Sequence, residues 1–400
     1  MRTAAILAAA LLVGCGDNLA DTTPDAPLVP DAPPPFAEAP HANVPQVKSG
    51  GGAVLTAPKS QPIFFTNDAD VQAQIEMFLA QLSGSTYWSA VTSEYGVGSI
   101  TNLPTIVTTD APPTTDAALQ SWIASKLDGT HTAEGWPATP DPQTIYSVYL
   151  PAGATFEGAC TQYGAYHDEL MAGTVTVPYA LMPRCTTQAL TIDTLTSAAS
   201  HELVEAATDP YPFSAPAFAR LDDEHFVWAR TPGGETGDMC EYLQNADQKL
   251  VGGFTVQRTW SNASAAAGHD PCVPALATPY LGVAPMFAED LAVNTHNGMI
   301  MTKGVMVPVN TSKTIEVDLF SDAPTTADWT VNAYDVAALL GTGQATLSFQ
   351  WVTKATGHNG DKLQLMVTRT RMAGTRGSEM VLVAKADSLI VSMWWGYVAQ

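Results

Sequence analysis

Ser200-His201-Glu202-Leu203-Val204-Glu205-Ala206-Ala207-Thr208-Asp209-Pro210 lies near the middle of a chain of 400 residues. Ala, Leu and Val dominate this part of the sequence, Thr194 can cap the start of a helix, and the proline stops it. Residues three and four apart share a helical face, so His201 and Glu205 would lie one turn apart on the same side. The segment therefore predicts a helix with two potential metal ligands on one face.

The pattern His201-Glu202-x-x-Glu205 resembles the zincin motif H-E-x-x-H, with a glutamate in place of the second histidine. The resemblance implies that His201 and Glu205 bind zinc and that Glu202, about 100° round the helix, is the general base. A carboxylate cancels more of the metal charge than an imidazole does. A site with another acidic ligand would be formally neutral and would acidify its water less. The alternative is an ordinary amphipathic helix with a solvated acidic face.

One histidine and one glutamate do not complete a zinc site, and the sequence offers further carboxylates. Asp209 is on roughly the same helical face, although the proline after it can turn it away. Glu235 and Asp238 lie in the glycine-rich segment 233–238, where glycines allow a close approach of the backbone. We prefer Asp238 as the third ligand, because a neighbouring glycine and a disulfide at Cys240 would fix it. A plain surface turn is the alternative.

Two other histidines are weaker candidates. His167 follows a tyrosine-rich segment after Cys160, where a disulfide would hold it rigid. It could support the metal ligands without binding the metal, or it could be an ordinary core or surface histidine. His225 follows three acidic residues at 222–224, and a solvated loop is the simplest explanation.

Length and composition allow two or three domains with substantial cores, since 46% of the residues are hydrophobic. The formal net charge of −22 argues against nucleic-acid binding, which needs a basic face. It also argues against electrostatic adhesion to anionic lipid.

The N-terminus has the composition of an export signal. Arg2 precedes an apolar run at 4–13 that is too short to span a bilayer. The run ends in Leu12-Val13-Gly14-Cys15, which resembles the bacterial lipoprotein signal. The resemblance implies that Cys15 is lipidated and that the protein is anchored in the cell envelope, at the outer membrane or the cell surface. A plain secretory peptide is the alternative. Residues 16–47 are rich in proline and predict an extended tether.

The other cysteines are even in number, which fits disulfides in an oxidising compartment. Of the three possible pairings, the sequence-local one, Cys160–Cys185 with Cys240–Cys272, is the simplest. A metal site of four cysteines is less well supported, because no C-x-x-C spacing exists.

Hydrophobic periodicity predicts strands at 61–65, 144–150 and 174–181 and helices at 68–82 and 117–127. This order predicts an α+β domain over 48–275, zincin-like or α/β, with its sheet packed on the central helix. From residue 276, about seven segments rich in Val, Thr and aromatic residues alternate with turns. They predict an all-β sandwich domain over 276–400.

Several short motifs are spread between about residues 50 and 275. They are Gly51-Gly52-Ala53-Val54-Leu55-Thr56, Tyr87-Trp88, Glu94-Tyr95, the segment 146–151, and Cys160 followed by Tyr163-Gly164-Ala165-Tyr166-His167. Together they resemble the Exordium (phosphate-induced) protein family and its bacterial relatives. The plant members are secreted, wall-associated proteins without an established catalytic role. The His-Glu-x-x-Glu helix is not expected in them and would belong to the bacterial branch.

Two functions are consistent with these features. The first is a membrane-tethered, zinc-dependent hydrolase, peptidase-like, with Glu202 as general base and a peptide or cell-envelope polymer as substrate. The second is a non-catalytic cell-surface binding or adhesion protein with an Exordium-like fold. The sequence contains no G-x-S-x-G elbow and no P-loop. We expect a monomer.

Overall fold

The computed structural model describes residues 35–66, 68–185, 191–295, 298–373 and 377–400. Ala37–Gln400 forms one compact unit that mixes helices with several β-sheets. The expected export signal, Cys15 and the first part of the tether lie outside the described residues. Among the residues described, no helix has the length and apolar character needed to cross a membrane.

The helices and strands of the described residues have the following bounds. The α-helices are α1 (Ala69–Gly84), α2 (Thr86–Thr92), α3 (Asp116–Lys126), α4 (Ile192–Thr208), α5 (Asp238–Glu241), α6 (Asn262–Ala266) and α7 (Val336–Leu339). Short 3₁₀ helices span Ser93–Tyr95, Thr132–Glu134 and Asp223–Arg230. The strands up to α4 are β1 (Val47–Lys48), β2 (Lys59–Phe65), β3 (Thr101–Asn102), β4 (Ile106–Thr108), β5 (Thr144–Tyr149), β6 (Tyr166–Ala172) and β7 (Val175–Met182).

The strands after α4 are more numerous and mostly antiparallel. They are β8 (Arg220–Leu221), β9 (Asp247–Lys249), β10 (Thr255–Gln257), β11 (Thr259–Trp260), β12 (Cys272–Val273), β13 (Leu281–Pro285), β14 (Glu289–Thr295), β15 (Gly298–Met306), β16 (Ser312–Ser321), β17 (Trp329–Asp335), β18 (Leu347–Trp351), β19 (Thr356–Gly357), β20 (Lys362–Arg369), β21 (Ser378–Ala386) and β22 (Leu389–Ala399).

The sheet beside α4 has the strand order β3-β2-β5-β7-β6, and β4 also pairs with β2. Its strands run parallel except β6, which forms an antiparallel edge against β7. Alternate side chains of β2 and β5 enter two cores: Phe64 and Tyr149 pack with α1, α2 and α4, whereas Ile63 and Tyr146 pack with α3. Burial on both faces explains the nearly continuous apolar sequence of these strands.

The central helix begins slightly before its predicted start. Thr191 is the N-cap, and its side chain accepts a hydrogen bond from the Thr194 backbone N–H at 3.3 Å. The prediction of Thr194 as the cap was therefore wrong. Leu203 and its apolar neighbours pack in the core beside the sheet. The opposite face is not solvated, because His201, Glu202 and Glu205 are only 8%, 4% and 2% exposed. The alternative of a solvated acidic face is thus excluded.

Among the described residues, ten strands follow residue 280, whereas about seven were expected. They form a four-stranded sheet, β13-β16-β20-β18, and a six-stranded sheet, β14-β15-β22-β21-β17-β19. Residues from both sheets, such as Val317 and Leu382, share one core, which also contains Trp228 and Trp260 from the preceding part of the chain. The expected domain boundary at residues 275 and 276 stays a prediction.

Residues 37–47 differ from the extended tether expected there. Val44 and Val47 are buried in the core at 7% and 1% exposure, and β1 pairs with β8. The Ala39 backbone N–H also donates to Asn359 Oδ1 at 3.0 Å. These contacts arise because two valines among the prolines supply apolar anchors.

Two disulfides are present, and both follow the sequence-local pairing. Cys160, which lies shortly before the start of β6, is bonded to Cys185. Cys240 is bonded to Cys272, and this disulfide joins α5 to β12. They fix the segments on either side of α4 that carry His167 and Asp238.

Candidate metal centre

Three of the predicted ligands converge on the buried face of α4. His201 Nε2 lies 2.9 Å from Glu205 Oε2 and 3.7 Å from Asp238 Oδ1. The ligand atoms of these residues all lie within 4.8 Å of one another. Tetrahedral zinc with ligand bonds of about 2.0–2.1 Å separates its ligand atoms by about 3.3 Å. The first triad, His201, Glu205 and Asp238, therefore has dimensions that fit one zinc-sized cation.

Glu205 is oriented by the glycine-rich segment. Its Oε1 accepts hydrogen bonds from the backbone N–H groups of Gly237 at 2.9 Å and Asp238 at 3.0 Å. Its other oxygen, Oε2, remains directed at the histidines. A Cβ atom at position 237 would lie 2.7 Å from Glu205 Oε1 and 2.9 Å from His201 Nδ1. Position 237 thus requires glycine because the backbone passes directly against the site.

His201 is oriented by Gln257 of β10. The Gln257 side chain donates from Nε2 to the Gly237 carbonyl at 2.8 Å, which directs its Oε1 to His201 Nδ1 at 3.1 Å. An N–H at Nδ1 leaves the lone pair of Nε2 free to bind a cation, the usual arrangement of a metal-binding histidine. The Gln257 backbone N–H also donates to Ser200 Oγ at 2.9 Å. Sequence reasoning missed Gln257, since nothing in its spacing relates it to α4.

His167, expected as a supporting residue, enters the site from the edge strand β6. Its Nδ1 lies 3.6 Å from Glu202 Oε2 and 3.6 Å from Glu205 Oε2, and its Nε2 lies 3.8 Å from Glu235 Oε1. His167, Glu205 and Glu235 form a second triad whose ligand atoms lie within 4.8 Å of one another. The two triads share Glu205. The sequence offered Glu235 and Asp238 as alternatives for one ligand position. In the structure they belong to different triads.

Asp209 belongs to neither triad. It is fully buried at the C-cap of α4, and its Oδ1 accepts from the Ala217 backbone N–H at 2.5 Å. Its Oδ1 therefore holds the segment after the helix, and Asp209 as a metal ligand stays a prediction. His225 also differs from expectation: it is buried, and its Nδ1 lies 2.7 Å from Asp222 Oδ1. The solvated-loop interpretation of His225 was wrong, because its 3₁₀ helix packs against Trp394.

The site combines many carboxylates with few positive charges. We define the acidic cluster as Glu202, Glu205, Asp209, Glu235, Asp238 and Glu241, together with His167 and His201. Within the described residues, the ion pairs of these carboxylates are with the two histidines alone. Buried negative charge without cationic partners is unfavourable. The cluster therefore favours either bound protons or a bound cation.

The pKa values reflect this imbalance. Burial favours the neutral acid and, with the charge of Glu205, raises the pKa of Asp238 to about 8; burial likewise raises that of Glu235 well above its usual value. Burial opposes the charged form of His167, but the attraction of Glu235, Glu202 and Glu205 raises its pKa to about 10. Burial also opposes ionisation of Glu205, but the nearby histidines lower its pKa to about 2. Without a metal, protons compensate the charge that a cation would otherwise neutralise.

A cleft of about 580 Å³ leads to this site. His201, Glu202, Asp238 and Glu241 line it, and Glu241 is an acidic residue that the sequence did not single out. Gly164 and Ala165, which precede β6, line the cleft as well. A substrate in the cleft would reach His201, Asp238 and Glu202 together.

Comparisons with known proteins return little that resembles this chain. No protein-family model matches it, and no curated protein does. Among solved structures, a chain titled "Crystal structure of the S-layer protein SbsC domains 4 and 5" is 11% identical, with 29% of this chain and 54% of that chain covered. The match thus spans about half of that chain's length. Its TM-score is 0.18, so the similarity carries no argument about fold or function.

Proposed function

We propose that this protein is a metal-dependent hydrolase, peptidase-like, whose zinc is bound by His201, Glu205 and Asp238. The observation that carries the proposal is the first triad, which lies within 4.8 Å at a cleft, with Glu202 lining the same cleft. The buried, oriented histidine supports a site rather than a chance cluster, since Gln257 Oε1 lies 3.1 Å from His201 Nδ1, where it would accept the proton of the tautomer that a metal requires.

The residues have distinct roles in this proposal. A divalent cation would polarise the substrate carbonyl and lower the pKa of a water. Glu202 would accept the proton of that water and later return it to the leaving group. His167, at 3.6 Å from Glu202 Oε2, would orient this carboxylate. Gly237 and Asp238 donate to Glu205 and keep it in position.

A peptide-like substrate is supported by the position of the cleft beside β6. This strand lies at the edge of its sheet, and Gly164 and Ala165 line the cleft immediately before it. An edge strand exposes backbone groups that can pair with an extended peptide. A cell-envelope polymer with amide bonds would meet the same surface.

The proposed setting is the cell envelope. The two disulfides are compatible with an oxidising compartment. We propose a zincin-like α+β part over residues 48–275, a β-sandwich over 276–400, and a lipid anchor at Cys15. A Cys15→Ser variant that still fractionates with membranes would exclude the anchor.

The substitution Glu202→Gln tests the catalytic role. We expect hydrolysis of a mixed peptide pool to fall about 10²–10⁴-fold, because an amide cannot accept the proton. Zinc content should remain at the wild-type level. The matched control is Glu169→Gln, a half-buried glutamate of β6 that accepts hydrogen bonds from Ser214; it should change neither quantity.

Three outcomes would contradict the proposal. Full activity in Glu202→Gln would show that Glu202 is not the general base. Loss of zinc in that variant would show that Glu202 is a metal ligand. A wild-type protein without zinc and without hydrolysis would instead favour the non-catalytic binding protein.

A further inference from the structure

We propose that a second divalent cation binds beside the first triad, through His167, Glu205 and Glu235, with Glu205 shared between the two metals. This inference rests on the proposed function and extends it from a one-metal to a two-metal site. No sequence motif suggests it, since the three residues come from β6, α4 and the glycine-rich segment.

The shared oxygen is the first argument. Glu205 Oε1 is occupied by two backbone N–H groups, so Oε2 is the oxygen that faces the histidines. It lies 2.9 Å from His201 Nε2, and the ligand atoms of His167, Glu205 and Glu235 all lie within 4.8 Å of one another. One carboxylate between two imidazoles can bridge two cations at the separation of about 3.5–4 Å typical of two-metal hydrolytic sites.

His167 supplies an independent observation. Its side chain is only 4% exposed, and its Nε2 has no hydrogen-bond partner among the described residues. Glu235 Oε1 lies 3.8 Å from this nitrogen, which is too far for a hydrogen bond but suitable for two ligands of one ion. Buried ring nitrogens are normally satisfied, so an open position directed at a carboxylate indicates a missing ligand.

Charge gives the third argument. One divalent cation with the ligands Glu205 and Asp238 is formally neutral and would acidify its water weakly. Two divalent cations with the three carboxylates Glu205, Asp238 and Glu235 retain one positive charge. Glu205 in place of a zincin histidine reduces the positive charge that activates the water. The second cation would restore that charge. Histidine and carboxylate ligands suit zinc and manganese.

Titration with manganese tests this inference on the full-length, metal-depleted protein. We expect calorimetry to give about two Mn²⁺ per wild-type chain. Electron paramagnetic resonance should show a spin-coupled pair, because the ions would share Glu205. Glu235→Gln, which preserves shape, should reduce the stoichiometry to about one and leave the spectrum of an isolated ion. His167→Gln should behave in the same way.

Matched controls separate the second site from general damage. Glu241→Gln removes a cleft carboxylate outside both triads, and His225→Gln removes a buried histidine outside the cluster. Both should retain two ions. One isolated Mn²⁺ in the wild type, unchanged by Glu235→Gln, would overturn the second site and leave the proposed function standing. Failure of the wild type to bind any ion would overturn both.

Discussion

Gln257 shows how a single residue outside the motif prepares His201 for metal binding. Its amide is held by the Gly237 carbonyl, so its oxygen faces His201 Nδ1. Without this contact the imidazole could rotate or place its proton on Nε2, where a metal would have to bind. The histidine identified from sequence is therefore only part of the functional unit.

Gln257→Ala should weaken zinc binding about 10–100-fold, because residues that orient a metal-binding histidine typically contribute this much. The measurement is zinc affinity by competition with a chelating dye. The control is Gln61→Ala, another buried glutamine, whose Nε2 donates to the Pro104 carbonyl at 2.7 Å. Wild-type affinity in Gln257→Ala would show that His201 needs no such support.

Sequence reasoning predicted the pair His201 and Glu205 because helical periodicity alone relates residues four apart. Asp238 could be proposed because glycines surround it. Gln257 and the direct participation of His167 could not be predicted, since they depend on how β10 and β6 pack against α4. The hydrogen bond from the Ala217 backbone N–H to Asp209 could not be predicted either, because it depends on how the chain turns after the helix.

At the scale of elements, long periodic segments were predicted well and short ones poorly. The expected helices at 68–82 and 117–127 correspond to α1 and α3, and the expected strands match β2, β5 and β7. After residue 280 the described residues form ten strands, whereas about seven were expected. Short strands carry little periodicity, and their pairing with distant strands determines them. The start of α4 was also misplaced, because several nearby threonines can serve as a cap.

Tertiary contacts explain the glycines of the segment 233–238. Gly237 is needed because any side chain would collide with His201 and Glu205, and Gly233 has a φ of 121°, which disfavours other residues. The disulfide from Cys240 to Cys272 ties the end of this segment to β12. Together, α4, the glycine-rich segment and the disulfide hold Glu205 and Asp238 close to each other.

For the whole molecule, the acidic cluster makes stability depend on pH. The folded pKa of His167 is about 10 against an ordinary 6.5, so its stabilisation is complete below pH 6.5 and is lost as the pH rises towards 10. The folded pKa of Asp238 is about 8 against 3.8, so the folded state holds this proton more tightly and stability falls as the pH rises through that range. Glu205 acts in the opposite direction, but its window lies between about 2 and 4.5.

The metal-free protein should therefore lose thermal stability between pH 6 and pH 9. The measurement is the melting temperature with a chelator present. Asp238→Asn should reduce the dependence of the melting temperature on pH. This variant distinguishes the effect of the cluster from the general charge repulsion of an acidic chain. Zinc should stabilise the protein most at the higher pH, because binding displaces protons from the ligands. A metal-free wild type whose melting temperature rises from pH 6 to pH 9 would contradict this assignment of charges.

The zinc content of the purified chain tests the central claim most directly. The protein is loaded with zinc, freed of unbound metal and measured by inductively coupled plasma mass spectrometry beside His201→Ala and the buried-histidine control His225→Ala. We predict at least one zinc per wild-type chain, about one fewer in His201→Ala, and no change in the control. A wild-type chain that retains no zinc, and whose melting temperature does not change when zinc is added, would contradict the metal centre on α4.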